Sequence, residues 1–171
     1  PLDQLFLKTR TEADWIAMAR VLTQELTDES IELAFSKLPK EVQDEEMENI
    51  LAILKERRNG IIDYASVYYR ELSKYVVLAG TDKKDRFSIT RLDNGSVEVV
   101  YDRMKKSGKE FQFSKVYSPD TTREIWIYGL NDQDEFIVNG AGRSKIKLRL
   151  IGGKNHDSFD VVNTRNTIVY E

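Results

Sequence analysis

The sequence predicts an α+β fold: a small helical bundle over residues 1–75, then a β-solenoid-like or stacked-strand all-β unit over 76–171. Three observations lead there. Before Tyr75 the apolar residues recur at helical spacing, and after it they alternate. Tight turn signals then separate many short strands. Finally, the pattern Gly-x-x-x-x-Asp-x-Phe occurs three times, as GTDKKDRF at 80–87, GLNDQDEF at 129–136 and GGKNHDSF at 152–159.

In the first half, Trp15, Met18, Ala19 and Leu22 share one helical face, as do Ile31, Ala34, Phe35 and Leu38. Thr27 is a predicted N-cap, with Asp28 and Glu29 in the turn where the helix dipole favours acids. Pro39 ends that helix. A third helix is predicted from Asp44 to Arg58, with Met47, Ile50, Leu51 and Leu54 on one stripe and Asn59-Gly60 as its stop. A fourth covers 61–75, and its aromatic stripe Tyr64, Tyr68 and Tyr75 reads as core with hydroxyls at the rim. Short connections make these helices antiparallel neighbours in a bundle packed on the second unit.

In the second half, Asp93-Asn94-Gly95 between 87–92 and 97–101 predicts a hairpin. Short strands follow at 124–128, 135–138, 145–151, 158–162 and 167–170. A shift of 23 residues aligns Ile125 with Leu148, Ile127 with Leu150, Asp134 with Asp157 and Phe136 with Phe159. Such spacing suggests a repeat in which neighbouring strand–turn–strand units bury each other's apolar faces. The final TIVYE is apolar rather than polar-capped, and the chain lacks an initiating Met. Both features suggest a mature form or a piece excised from a larger protein.

At each corner, Gly permits tight backbone approach, Asp accepts backbone N–H groups and holds the turn, and Phe fills the interior. Residues 152–160 also resemble the Gly-Gly-x-Gly-x-Asp-x-apolar-x loop of calcium β-rolls, with Asn155 in place of the third Gly. Calcium needs roughly six to eight oxygen ligands. Asp132, Asp134 and Asp157 are the candidate metal carboxylates, although a metal-free, Asp-pinned turn is the preferred reading.

Composition narrows the function classes. With 171 residues, 40% apolar and 32% charged, the chain reads as globular rather than disordered. A net charge of −3, with no basic cluster beyond KERR at 55–58, argues against a nucleic-acid partner. That run lies at a helix C-terminus, where cations complement the dipole. Cysteine is absent, which removes disulfides and thiolate chemistry. No apolar run approaches the ~20 residues of a membrane helix, and the N-terminus lacks a signal-peptide pattern.

No catalytic residue emerges. His156 is the only histidine, which removes most triad and acid–base arrangements. Asn155-His156-Asp157 resembles part of the calcineurin-like phosphoesterase motif, but Lys154 stands where that motif has Gly. A two-metal site also needs several His and Asp ligands. Gly140-Ala141-Gly142 resembles a phosphate loop only superficially, because strands follow it. A carboxylate-pair hydrolase or carbohydrate-handling domain leaves no local motif and stays open as an alternative, with Trp126 and the tyrosines as sugar platforms.

The segments RELSKYVVLAGTDKKDRFSITRLDNG, REIWIYGLNDQDEFIVNG and IKLRLIGGKNHDSFDV resemble the middle region of very large cell-envelope proteins of Gram-negative bacteria. LPKEV at 38–42 and LKERRNGIIDYASVYYREL at 54–72 fit the same region. Those proteins carry a calcineurin-like phosphoesterase region toward the N-terminus and a surface-antigen-type outer-membrane β-barrel toward the C-terminus. The resemblance implies a non-catalytic accessory module in the periplasm or at the outer membrane, with adjacent domains of its parent as partners. Any metallophosphoesterase activity would belong to the parent. The alternatives are a calcium-binding β-roll and the carboxylate-based hydrolase.

Overall fold

A computed structural model of the chain describes residues 9–171. The first eight residues, assigned above to the helical unit, lie outside the described residues. The chain divides into two compact units, Arg10–Glu71 and Leu72–Glu171.

The helical unit contains α1 (Glu12–Glu25), α2 (Asp28–Ser36), a 3-10 turn at Lys40–Val42, α3 (Glu45–Asn59) and most of α4 (Ile61–Ser73). Local chemistry sets where the helices start. Thr11 and Asp14 form a reciprocal capping box on α1, Thr27 caps α2 through Ser30 N, and Asp44 caps α3 through Met47 N. Each cap is worth ~1 kcal/mol. Arg58 and Lys55 of α3 both pair with Asp28 at the start of α2, and Lys55 also pairs with Glu32. The basic run KERR is therefore used largely within the unit. Glu12 of α1 accepts from Ser66 Oγ at 2.6 Å and Arg70 Nε at 3.0 Å of α4, and Trp15 lies against Tyr68 and Tyr69.

These contacts leave much apolar surface uncovered. Ala19 is the one buried residue between Arg10 and Glu71 among the described residues. The tyrosine stripe is not core. Tyr64 is 65% exposed and Tyr68 47%, while α4 ends at Ser73, so Tyr75 begins a strand instead.

The second unit has two sheets. The first is wholly parallel, ordered β1 (Tyr75–Ala79), β5 (Glu124–Leu130), β7 (Lys147–Gly153), β9 (Thr167–Tyr170). The second is ordered β4 (Gly108–Tyr117), β3 (Val97–Lys105), β2 (Asp85–Arg91), β6 (Glu135–Asn139), β8 (Ser158–Val161). In it, β2, β6 and β8 run parallel, whereas β3 pairs antiparallel with β2 and β4 antiparallel with β3. Parallel neighbours require a crossover between them. Here the chain crosses by strands of the other sheet rather than by helices.

This corrects the expected fold. Four helices precede two parallel or mixed sheets among the described residues, an α/β-type arrangement and not a β-solenoid-like repeat or an all-β stack. The physical reason lies at Asp93-Asn94-Gly95. Gly95 takes φ 85°, its N–H donates to Leu92 O at 2.9 Å, and Ser96 N donates to Asn94 Oδ1 at 3.0 Å. That turn reverses the chain and adds β3 and β4 to one sheet only, so the two sheets are not built alike.

One apolar core is drawn from both sheets. Leu78, Ile125, Ile127, Leu148 and Leu150 of the parallel sheet and Phe87, Ile89, Val97, Val99, Phe136 and Val138 of the mixed sheet are all fully buried. The strict alternation along β2, β5 and β7 places every second residue inward.

Candidate functional site

The three Gly-x4-Asp-x-Phe corners join β1 to β2, β5 to β6 and β7 to β8, and they lie side by side. Their aspartates form a ladder. Asp85 N donates to Asp134 Oδ1 at 2.8 Å, and Asp134 N donates to Asp157 Oδ1 at 2.9 Å. Asp85 accepts Thr81 N at 2.6 Å and Thr81 Oγ1 at 2.9 Å on its Oδ2. Asp85 thus holds its own corner, and Asp134 and Asp157 each hold the corner before them.

The corner glycines are required by space rather than by φ, since none of Gly80, Gly129 and Gly152 has a left-handed backbone. A Cβ added at Gly80 would lie 2.7 Å from Asp85 Oδ2. At Gly129 and Gly152 it would collide more severely with the carboxylates of Asp134 and Asp157. Left-handed geometry falls instead on Leu130, Asp132 and Asn155, with φ of 89°, 71° and 81°. Asn155 replaces a Gly of the calcium-loop pattern and is among the residues that tolerate this region.

The phenylalanines complete the corners. Phe87 stacks on Phe136 with ring centroids 5.4 Å apart, and Phe136 on Phe159 at 4.8 Å. Tyr101 of β3 covers the other face of Phe87 at 4.8 Å.

The candidate metal residues have different surroundings. Asp132 is exposed and accepts from the next backbone, Gln133 N, at 3.0 Å. Asp157 is half-buried and serves the ladder. Asp134 is buried, and its Oδ2 has no hydrogen-bond partner among the described residues. Burial, reinforced by the neighbouring Asp85, Asp157 and Asp132 charges, pushes its carboxyl up to about 7, against the ladder hydrogen bond that favours the charged form. Among the described residues, no group of three or more His, Cys, Asp or Glu side chains is placed to hold a metal ion.

Local motifs marked Asp85 but not its neighbours Arg103 and Tyr101, and did not reveal the buried Arg91. Asp85 Oδ1 lies 3.7 Å from Arg103 Nε of β3, and burial together with Asp85 pushes the nearby Tyr101 hydroxyl up to about 12. Arg91 is 1% exposed at the far end of β2. It donates to Ile146 O at 3.3 Å, Arg165 O at 2.6 Å and Thr167 Oγ1 at 3.0 Å. Burial lowers its pKa. Gly140 and Gly142 lie where a Cβ would run into the Arg91 and Leu92 backbone, so this glycine pair permits close strand approach. The only sequence signal for Arg91 is a charge at an inward position of an alternating strand.

Trp126 is half-buried between neighbours, with Arg149 over its ring at 4.7 Å and Tyr128 stacked at 6.3 Å. Arg149 is in turn paired with Glu124 and Tyr170. His156 is exposed. In the helical unit, Leu26, Phe35, Leu54 and Ile61 line an apolar pocket beside Arg57 and Arg58, with no carboxylate or imidazole in its wall. No described helix is long and apolar enough to cross a membrane.

Comparison of the chain with protein-family models, curated proteins and solved structures finds no match.

Proposed function

We propose that this chain is a non-catalytic structural and interaction module of a larger cell-envelope protein. The observation that carries this reading is the direction of the corner carboxylates. Asp134 and Asp157 turn an oxygen onto the backbone amide of the neighbouring corner, and Asp85 onto its own, so the most distinctive motif of the chain is used in holding strands together. The apolar pocket of the helical unit supports the same reading, because its wall has no acid–base pair. The resemblance to the middle region of phosphoesterase–barrel envelope proteins supports placing the module in the periplasm or at the outer membrane, next to other domains of its parent.

The test is fractionation of the native protein with an epitope tag, combined with phosphoesterase and glycosidase assays of the purified chain. The reading expects the tag in the envelope fraction and no turnover by the chain. Recovery in the cytosol would remove the envelope context, and turnover lost on substitution of a single carboxylate would replace the module with an enzyme. Calcium is not part of this reading, and the melting temperature in calcium and in EDTA should agree within about a degree.

A further inference from the structure

The two sheets of the β unit present outer faces of different chemistry. On the mixed sheet the outward positions include Ser88, Thr90, Glu98, Glu135 and Asp160, a polar set with carboxylates. On the parallel sheet they carry rings and aliphatic side chains. Val77, Trp126, Tyr128 and Ile151 are half-buried there, and Tyr75 and Tyr170 are 49% and 41% exposed. The register puts them on one side, because Val77 pairs with Trp126, Tyr128 with Ile151 and Ile151 with Tyr170. Wholly parallel sheets are usually covered on both faces. Here the core draws on the inner face alone.

The same face carries a line of cations. The run RSKIKLR at 143–149 has one at every second position. Lys147 and Arg149 point outward from β7, beside Glu124 and Trp126 of β5. The alternation of burial continues backwards, with Ser144 and Gly142 buried and Lys145 and Arg143 exposed. Successive members of such a line are ~6.7 Å apart. Glu124 is the one carboxylate at the outward strand positions of this sheet, and Arg149 pairs with it. Arg143, Lys145 and Lys147 form no ion pair among the described residues. The face is thus apolar, aromatic and positively charged.

Candidate partners differ in what they require of such a face. A sugar or a nucleic-acid base stacks on a free ring face. Arg149 already lies over the Trp126 ring at 4.7 Å, and Tyr128 stacks beside it at 6.3 Å. Lysine is depleted where polypeptides meet, and two of the three unpaired cations are lysines. An anionic bilayer suits the whole set. Trp and Tyr sit at the headgroup level, and Lys and Arg stems lie along apolar surface while their charges reach the headgroups. We propose that the outer face of the parallel sheet is a peripheral docking surface for an anionic lipid bilayer. Arg143, Lys145 and Lys147 meet the headgroups, and Tyr75, Ile168 and Tyr170 reach the boundary with the acyl chains. The proposal goes beyond the interaction-module reading and does not use the envelope location, so a cytosolic fractionation result leaves it standing.

The experiment mixes the purified full chain with vesicles of phosphatidylcholine containing about one-third phosphatidylglycerol, and with pure phosphatidylcholine vesicles as the neutral control. Binding is read by co-sedimentation. Depth is read by quenching of Trp126 with lipids brominated near the headgroup, in the Trp15→Phe protein where Trp126 is the sole tryptophan. The expected result is binding to anionic vesicles at least tenfold tighter than to neutral ones, with Trp126 quenched. Each cation near an anionic surface contributes about fivefold, so the Arg143→Gln, Lys145→Gln, Lys147→Gln protein should bind at least tenfold more weakly. Lys106→Gln, Lys109→Gln and Lys154→Gln remove the same charge from exposed positions off this face and should leave binding within twofold. All six positions lie outside the core, and an unchanged melting temperature checks each fold. The proposal is overturned by no binding to anionic vesicles, by equal loss in the two triple variants, or by binding without Trp126 quenching. Binding of poly-glutamate through Arg143, Lys145 and Lys147 without vesicle binding would assign the face to an acidic polypeptide instead.

Discussion

The two units solve the burial problem in opposite ways. The β unit encloses a core of fully buried side chains from both sheets, whereas the helical unit buries Ala19 alone and leaves Met18, Leu33, Tyr64 and Val67 more than half exposed. The helical unit relies on local devices: three side-chain caps, the Asp28 pairs with Lys55 and Arg58, and the Glu12 contacts with Ser66 and Arg70. Exposed pairs of that kind contribute little each, on the order of 0–1 kcal/mol. A buried large side chain contributes ~1.5–3 kcal/mol. Global stability should therefore reside in the β unit, and the helical unit should open first.

The largest break in that comparison is Phe136→Ala. The ring is fully buried between Phe87 and Phe159, and its loss should cost ~3–5 kcal/mol in urea unfolding. The second is pH. The Asp134 carboxyl titrates near 7 in the folded chain, above its ordinary value of about 3.9. Between those values the folded state binds the extra proton. Its stabilising contribution is fully present below about pH 4 and is lost as pH rises through 7. The span amounts to ~4 kcal/mol at most. Asp134→Asn should flatten this part of the profile while keeping an acceptor for Asp85 N. A profile identical in both proteins would exclude a shifted carboxyl there.

Gly129→Ala is the third, placing a methyl against the Asp134 carboxylate and Gly152 O. It should cost ~1–3 kcal/mol by collision, whereas the same change at Gly108, where a Cβ meets no neighbour, should cost ~1–2 kcal/mol through its strained φ of 118° alone. Thr27→Ala removes the α2 cap at ~1 kcal/mol, and hydrogen exchange should accelerate in α2 but not in β5 or β7. The smallest effect belongs to Leu33→Gln, within about 0.5 kcal/mol on an exposed helical position. A loss near that of Phe136→Ala would show that the helical unit has a core after all.

Much of the architecture was legible from residues a few positions apart. Thr27, Pro39 and Asn59-Gly60 marked helix ends, and Asp93-Asn94-Gly95 marked the hairpin, because caps and turns are satisfied by their own neighbours. The 23-residue offset also proved to be a register, since Ile125 pairs with Leu148 and Phe136 with Phe159. The inference from that offset to a solenoid-like repeat did not hold, since nothing local says that β3 and β4 join the same sheet as β6 and β8. The tyrosine stripe misled for a related reason. Helical periodicity identifies a face, but burial depends on what lies opposite.

By itself, the sequence determined the change from helical to strand period near Tyr75, the caps, the hairpin and the three corners. Each is a preference of a short segment for its own backbone geometry. Tertiary structure alone decided how the three candidate aspartates differ. Asp132 stays in solvent, Asp157 receives the Asp134 amide, and Asp134 is buried with an oxygen unpartnered among the described residues. The separation arises because solvation and hydrogen bonding at one carboxylate depend on strands 23 and 49 residues away, a distance no local motif encodes.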